Sequence, residues 1–132
     1  MQTNPTYENV IGEISAFLAE RVMSAERAGV PRERIIVDPG IGFGKTADHN
    51  LEIIRRIAEF RRIGLPVLVG PSRKRFIGQA LDIDEPRERL TGTVAAVSAC
   101  VLAGVECVRV HDVRACRQAA DLCAAIRRGS VR

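Results

Sequence analysis

The sequence predicts an α/β fold in which short parallel strands alternate with amphipathic helices. Three observations predict it. Apolar residues recur at helical spacing along several stretches, short uninterrupted apolar runs lie between those stretches, and each run ends in polar or charged residues. A strand that is apolar throughout, rather than at every second position, belongs to a parallel sheet covered by helices.

The first helix is expected over residues 7–28, where Val10, Ile14, Phe17, Leu18, Val22 and Ala25 return to one face. Gly29 stops it and Pro31 follows. A strand is expected at residues 35–37, closing on Asp38. After a glycine-rich loop, a second helix is expected over residues 48–62, with Leu51, Ile54, Ile57, Ala58 and Phe60 as its stripe and Gly64 as its stop. The run "PVLVG" is the second strand and leads into Ser72, Arg73 and Lys74. A long helical region comes next, interrupted at residues 82–86. Its main part, residues 86–103, is rich in alanine and other small residues, and Gly104 ends it. "CVRVHDV" is the third strand, and a last helix is expected over residues 115–128, with Asp112 placed to cap it.

Composition narrows the function. The chain has 132 residues, one domain at most, and its 46% apolar content is enough for a packed core. No run of about 18 apolar residues is present, so no membrane span is expected. The start, "MQTNPTYENV", lacks the basic region and apolar stretch of a secretory leader. The formal charge is +4, with the cations spread over helical faces, and aromatics are only 4%, too few for a base-stacking platform. Nucleic acid is therefore not an expected partner. None of Cys100, Cys107, Cys116 and Cys123 forms a pair with zinc or redox spacing, so no metal site is assigned to the chain. Cys116 and Cys123, seven apart, fall on one helix face as small core residues. Reduced thiols without a leader point to the cytoplasm.

The chemistry gathers at the strand ends. In a parallel sheet Asp38, the Ser72–Lys74 turn, and Arg109 with His111 lie on one side, the carboxyl-end rim where α/β folds bind ligands. Arg109 and His111 are two apart on a strand and project to the same face. A carboxylate at such a rim suits a ligand with adjacent N–H donors, such as an amino-heterocycle. Arg beside His suits a phosphate-like anion. The loop "DPGIGFGKT" is neither known nucleotide cradle. The first glycine of a phosphate-binding P-loop is replaced by Pro39, and the third glycine of a dinucleotide fingerprint by Lys45. Its glycines are read as serving flexibility and close backbone approach. Lys45 and Thr46 are read as loop-structure residues, and Arg73 and Arg75 as surface or helix-end charges.

Taken together, "DPGIGFGKTADHN", "LPVLVGPSRKRFIG" and "VRVHDV" resemble three successive motifs of the dihydropteroate synthases, in the family's order. "MQTNPTYENVIGEISAFLAERV" resembles the family segment before them, so the resemblance covers essentially the whole chain. It implies the carboxyl-terminal part of a (β/α)8 TIM barrel, here three parallel strands alternating with helices, with residues 1–132 as one partial domain. It implies joining of 4-aminobenzoate to (7,8-dihydropterin-6-yl)methyl diphosphate with help from magnesium. On this basis Asp38 would bind the pterin ring nitrogens, and Lys74 would contact the pterin and reach toward the aminobenzoate. Arg109 and His111 would hold the diphosphate, Phe43 would help form the aminobenzoate site, and Ser72 would border it. Lys74, Arg109 and His111 are the expected catalytic residues.

The departure from the family is in length. A barrel needs eight strands and about 250 residues. The resemblance places the magnesium-binding asparagine, a flexible Thr-Arg loop and two further pterin ligands in a part absent here, and Asn4, Asn9 and Asn50 stand in the wrong contexts to replace them. The chain is therefore expected to be a fragment, inactive alone, of an enzyme that is a homodimer through its last helices. A non-catalytic half-barrel subunit and a fragment of a methyltetrahydrofolate-type methyltransferase are the alternatives; "SRK" and "RVH" favour the synthase.

Overall fold

The structure, a computed structural model, describes residues 6–131. Asn4 and the terminal Arg132 lie outside the described residues. Helix α1 spans Val10–Arg27. Asn9 caps it by accepting from the Gly12 N–H at 3.1 Å, while the Glu13 carboxylate accepts from the Asn9 N–H at 3.0 Å. The helix buries Val10, Ile11, Ile14, Leu18 and Val22. Phe17, expected in this stripe, faces outward beneath the Arg21 guanidinium, 5.5 Å from the ring centre.

The second helical region departs from a single helix. Helix α2 covers Ala47–Arg55, and the chain then tightens into a 3-10 segment, Ile57–Ile63. Arg56, at φ −112°, sits at the change and is ion-paired to both Glu52 and Glu59. The buried face runs through Asn50, Ile53, Ile57 and Phe60, leaving Leu51 and Ala58 outside.

The sheet is smaller than expected. Strands β1 (Leu68–Val69) and β2 (Cys107–Val108) pair in parallel, Leu68 with Cys107 and Val69 with Val108. The first expected strand, residues 35–37, contributes one parallel bridge, Val37 with Val67. It is cut short because a 3-10 turn, Arg32–Arg34, ends beside it and Asp38 closes a turn on the Gly40 N–H immediately after. The three segments still lie side by side, with residues 67–69 in the middle, and Val37, Val67 and Val69 are buried in the main apolar core.

Helices α3 (Arg75–Leu81), α4 (Leu90–Leu102) and α5 (Val113–Arg128) follow, with a 3-10 turn, Pro86–Arg89, ahead of α4. Gly78 lets α3 approach the next loop: a Cβ there would stand 2.4 Å from the Ile83 carbonyl oxygen. Cys116 and Cys123 pack with Val97 and Val101 between α4 and α5, as small core residues. Helix α5 starts earlier than expected. Asp112 occupies its cap position, but its side chain turns away to Arg73 and makes no capping bond. Among the described residues, no helix is long and apolar enough to cross a membrane.

Candidate functional site

At the carboxyl ends of these strand segments lies a cavity of about 180 Å³. Its wall includes all six residues singled out from the sequence: Asp38, Phe43, Ser72, Lys74, Arg109 and His111. Ile41, Leu68 and Val110, which sequence reasoning did not single out, add apolar surface between them.

The glycine loop shapes one side. Gly40, Gly42 and Gly44 stand at φ 71°, 81° and 57°, all in the left-handed region, which explains a glycine at every second position. Gly42 is the most constrained. Its N–H donates to Asn50 Oδ1 at 2.6 Å, and a Cβ on it would meet Lys74 Cδ at 2.7 Å. The loop therefore rests on the aliphatic stem of Lys74. Lys45 ties the loop to itself, its Nζ donating to the carbonyls of Gly40 at 3.0 Å and Phe43 at 3.1 Å. Thr46 caps α2 in a reciprocal box with His49. Both are loop-structure residues, as read from the sequence.

Asp38 divides its carboxylate. Oδ1 accepts from the Gly40 N–H at 2.8 Å, while Oδ2 makes no hydrogen bond among the described residues. Lys74 Nζ lies 3.7 Å from the centre of the exposed Phe43 ring. Burial pulls the Lys74 pKa below the ordinary lysine value; the Asp38 charge opposes the shift and the Arg109 charge adds to it. Lys45 is lowered too, by burial, against an upward pull from Asp38. These are the only two lysines among the chain's twenty Lys and Arg residues.

Buried Ser72 is joined twice to His111. Its Oγ lies 2.9 Å from His111 Nδ1 and accepts from the His111 N–H at 3.2 Å. Arg109 is exposed: its backbone N–H donates to the Val69 carbonyl at 2.9 Å, while its guanidinium makes no hydrogen bond or ion pair among the described residues. The wall thus offers a half-free carboxylate, a partly desolvated ammonium, and an Arg–His pair with spare donors. That set can hold a ring with adjacent N–H groups beside an anion.

Arg73 does not line the cavity; it pairs with Asp112. Arg75 stands exposed at the start of α3. Two residues that support the site were not singled out from the sequence. Asn50 is buried and bonds Gly42 and the Thr46 carbonyl. A polar residue on the inner phase of the helix after the loop is the signal that could have found it. Arg89 is also buried, donating to the carbonyls of Arg73, Ile83 and Asp84. Its partners are backbone groups, which leave no trace in a sequence.

Comparison with known proteins matches residues 1–111 to the family described as pterin binding enzyme. The chain is 48% identical over 118 residues to a dihydropteroate synthase of Synechocystis sp., covering 89% of this chain and 41% of that protein. It superposes on dihydropteroate synthase from Stenotrophomonas maltophilia, solved with imidazole in the active site, with a TM-score of 0.92 at 40% identity, covering 96% of this chain and 48% of the other. Against the Xanthomonas albilineans dihydropteroate synthase, solved in complex with 7,8-dihydropteroate, the TM-score is 0.90 at 38% identity, with 92% and 47% covered. The chain therefore spans less than half the length of the relatives it matches, and its α/β fold is that of their corresponding part.

Proposed function

Because this chain belongs to the pterin binding enzyme family, we propose that it forms the carboxyl-terminal part of a dihydropteroate synthase, residues 1–132 being one partial domain of a (β/α)8 barrel. The observation that carries the reading is the meeting of Asp38, Lys74, Arg109 and His111 on one cavity at the carboxyl ends of three adjacent parallel segments. The complex of the Xanthomonas relative with 7,8-dihydropteroate supports it.

In the proposed reaction the amine of 4-aminobenzoate attacks the methylene carbon of (7,8-dihydropterin-6-yl)methyl diphosphate. The C–O bond to diphosphate breaks and the amine loses a proton, giving dihydropteroate and diphosphate. The free oxygen of Asp38 accepts from pterin N–H groups. Lys74, held against Phe43, contacts the pterin from the aminobenzoate side, with Phe43 and Ser72 bordering that second ligand. Arg109 and His111 stabilise the charge that grows on the leaving diphosphate. The weakly basic amine needs orientation more than a strong base, which a cavity of anchored side chains supplies. Among the described residues no group of three His, Cys, Asp or Glu side chains comes together. By resemblance to the family we assign the magnesium ligand to the amino-terminal part outside this chain; the ion, when bound, would neutralise diphosphate charge. A homodimer through α4 and α5, where Leu102, Leu122 and Ile126 are exposed, and a cytoplasmic location complete the proposal.

The test is steady-state turnover in the complete enzyme carrying this segment. Lys74→Ala and Arg109→Ala are each expected to lower kcat/KM by about 100-fold or more, the scale of losing a transition-state donor, with melting temperature nearly unchanged. Near-normal turnover in both variants would sink the assignment.

A further inference from the structure

Resting on the synthase reading, we infer that Arg73 and Asp112 are a positioning pair that fixes the spacing between the two walls of the cavity and touches neither substrate. The N–H, the carbonyl and the guanidinium of Arg73 are engaged by three different residues. Its N–H donates to Thr93 Oγ1 at 3.0 Å, and its carbonyl accepts from Arg89 Nη1 at 3.0 Å. Its Nε and Nη2 donate to Asp112 Oδ2 and Oδ1 at 3.0 and 2.7 Å. Thr93 and Arg89 are themselves buried.

The backbone at Arg73 stands at φ 58°, a left-handed conformation that strains a residue with a Cβ and persists only where its surroundings over-determine it. That kink has a directional result. Ser72 and Lys74, on either side, line the cavity, while the Arg73 side chain runs away from it to Asp112. Asp112 repeats the pattern: it stands outside the cavity wall while its neighbour His111 is part of it. A two-bond arginine–carboxylate fork has one geometry. The pair therefore sets where the 72–74 turn stands relative to residues 111–112, and the Ser72–His111 contact runs parallel to it. Lys74 on one wall and the anion-holding Arg109 and His111 on the other are kept at one separation. An attack in line with a departing diphosphate depends on that separation, because a misplacement of about 1 Å can cost 100-fold in rate.

Kinetics of the complete enzyme carrying this segment test the inference. The variants are Arg73→Ala, Asp112→Ala, the double variant, Arg73→Lys and Asp112→Asn, with the melting temperature of each. Each alanine variant is expected to lower kcat by roughly 10- to 100-fold with KM for both substrates changed less than about threefold. The double variant is expected to be no worse than the poorer single one, the mark of two residues acting as a unit. Arg73→Lys, which keeps the charge but loses the fork, is expected to recover little. Asp112→Asn keeps the shape and reads the same effect if the alanine variant fails to fold. Losses that multiply in the double variant, or a raised KM at unchanged kcat, would identify a substrate ligand instead. Unchanged kcat with a lowered melting temperature would reduce the pair to a fold support, and full recovery in Arg73→Lys would leave charge alone as the cause. Each of these overturns the inference while the parent enzyme still turns over; a parent without turnover would overturn the synthase reading and this inference with it.

Discussion

Lys74 and Asp112 both favour the fold more as pH rises, but in different pH windows. Burial holds the folded-state Lys74 pKa below 10.5, so keeping it charged in the fold carries a cost. The cost is present in full at low and neutral pH and is relieved as pH rises from the folded value through 10.5. Asp112 is held below the ordinary carboxylate range, first by its hydrogen bonds to Arg73. Its contribution is favourable above pH 3.8 and is lost as pH falls through the lower folded value. With only two lysines, reductive methylation followed by NMR titration would read Lys74 individually. Asp38→Asn is expected to lower its pKa further and Arg109→Ala to raise it; the opposite order would contradict the charge arrangement described. The fate of Arg73 shows what sequence reading misses at this scale. The run Ser-Arg-Lys was legible as a rim motif, but a left-handed backbone at its centre was not, since the residues that enforce it, Thr93, Arg89 and Asp112, lie 16 to 39 positions away.

The glycine loop is the element on which binding turns. Gly42→Ala would place a Cβ at φ 81° and 2.7 Å from Lys74 Cδ. The expected result is about 1–2 kcal/mol of backbone strain and a displaced Lys74, read as weakened pterin binding by the complete enzyme. Asn50→Ala removes the side chain that holds Gly42 and Thr46, expected to cost about 1–3 kcal/mol through unmet buried groups; a melting temperature at the parent value would refute that role. The alternation of elements was legible from apolar periodicity, and so were the stops at Gly29 and Gly64, both left-handed in the structure. Strand lengths were not. The runs at residues 35–37 and 107–113 are apolar enough for longer strands, but turn closure at Asp38 and the turn of residues 111–112 toward Ser72 and Arg73 shorten them.

At the scale of the whole molecule, Val37 stands on one side of the sheet and β2 on the other, and neither has a further ladder partner among the described residues. Open strand edges recruit other chains. Residues 1–132 produced alone are expected to associate as concentration rises, measured by light scattering, and to show no synthase turnover; robust turnover by the pure chain would refute the partial-domain reading. The rim location of the site was legible because strand-end chemistry follows from parallel topology. In the supporting layer beneath it, Asn50 left a signal on the inner phase of its helix, whereas Arg89, which bonds only backbone carbonyls, left none.

The exposure of Arg109 has one more consequence. Two unit charges 4 Å apart attract by about 1 kcal/mol in water but about 4 kcal/mol at an effective dielectric constant of 20. Beside an open flank, the grip of Arg109 on an anion stays near the watery limit and fades as salt rises. Walling that flank with further strands would strengthen the same grip several-fold without moving a single atom of Arg109: its strength is a property of what surrounds it.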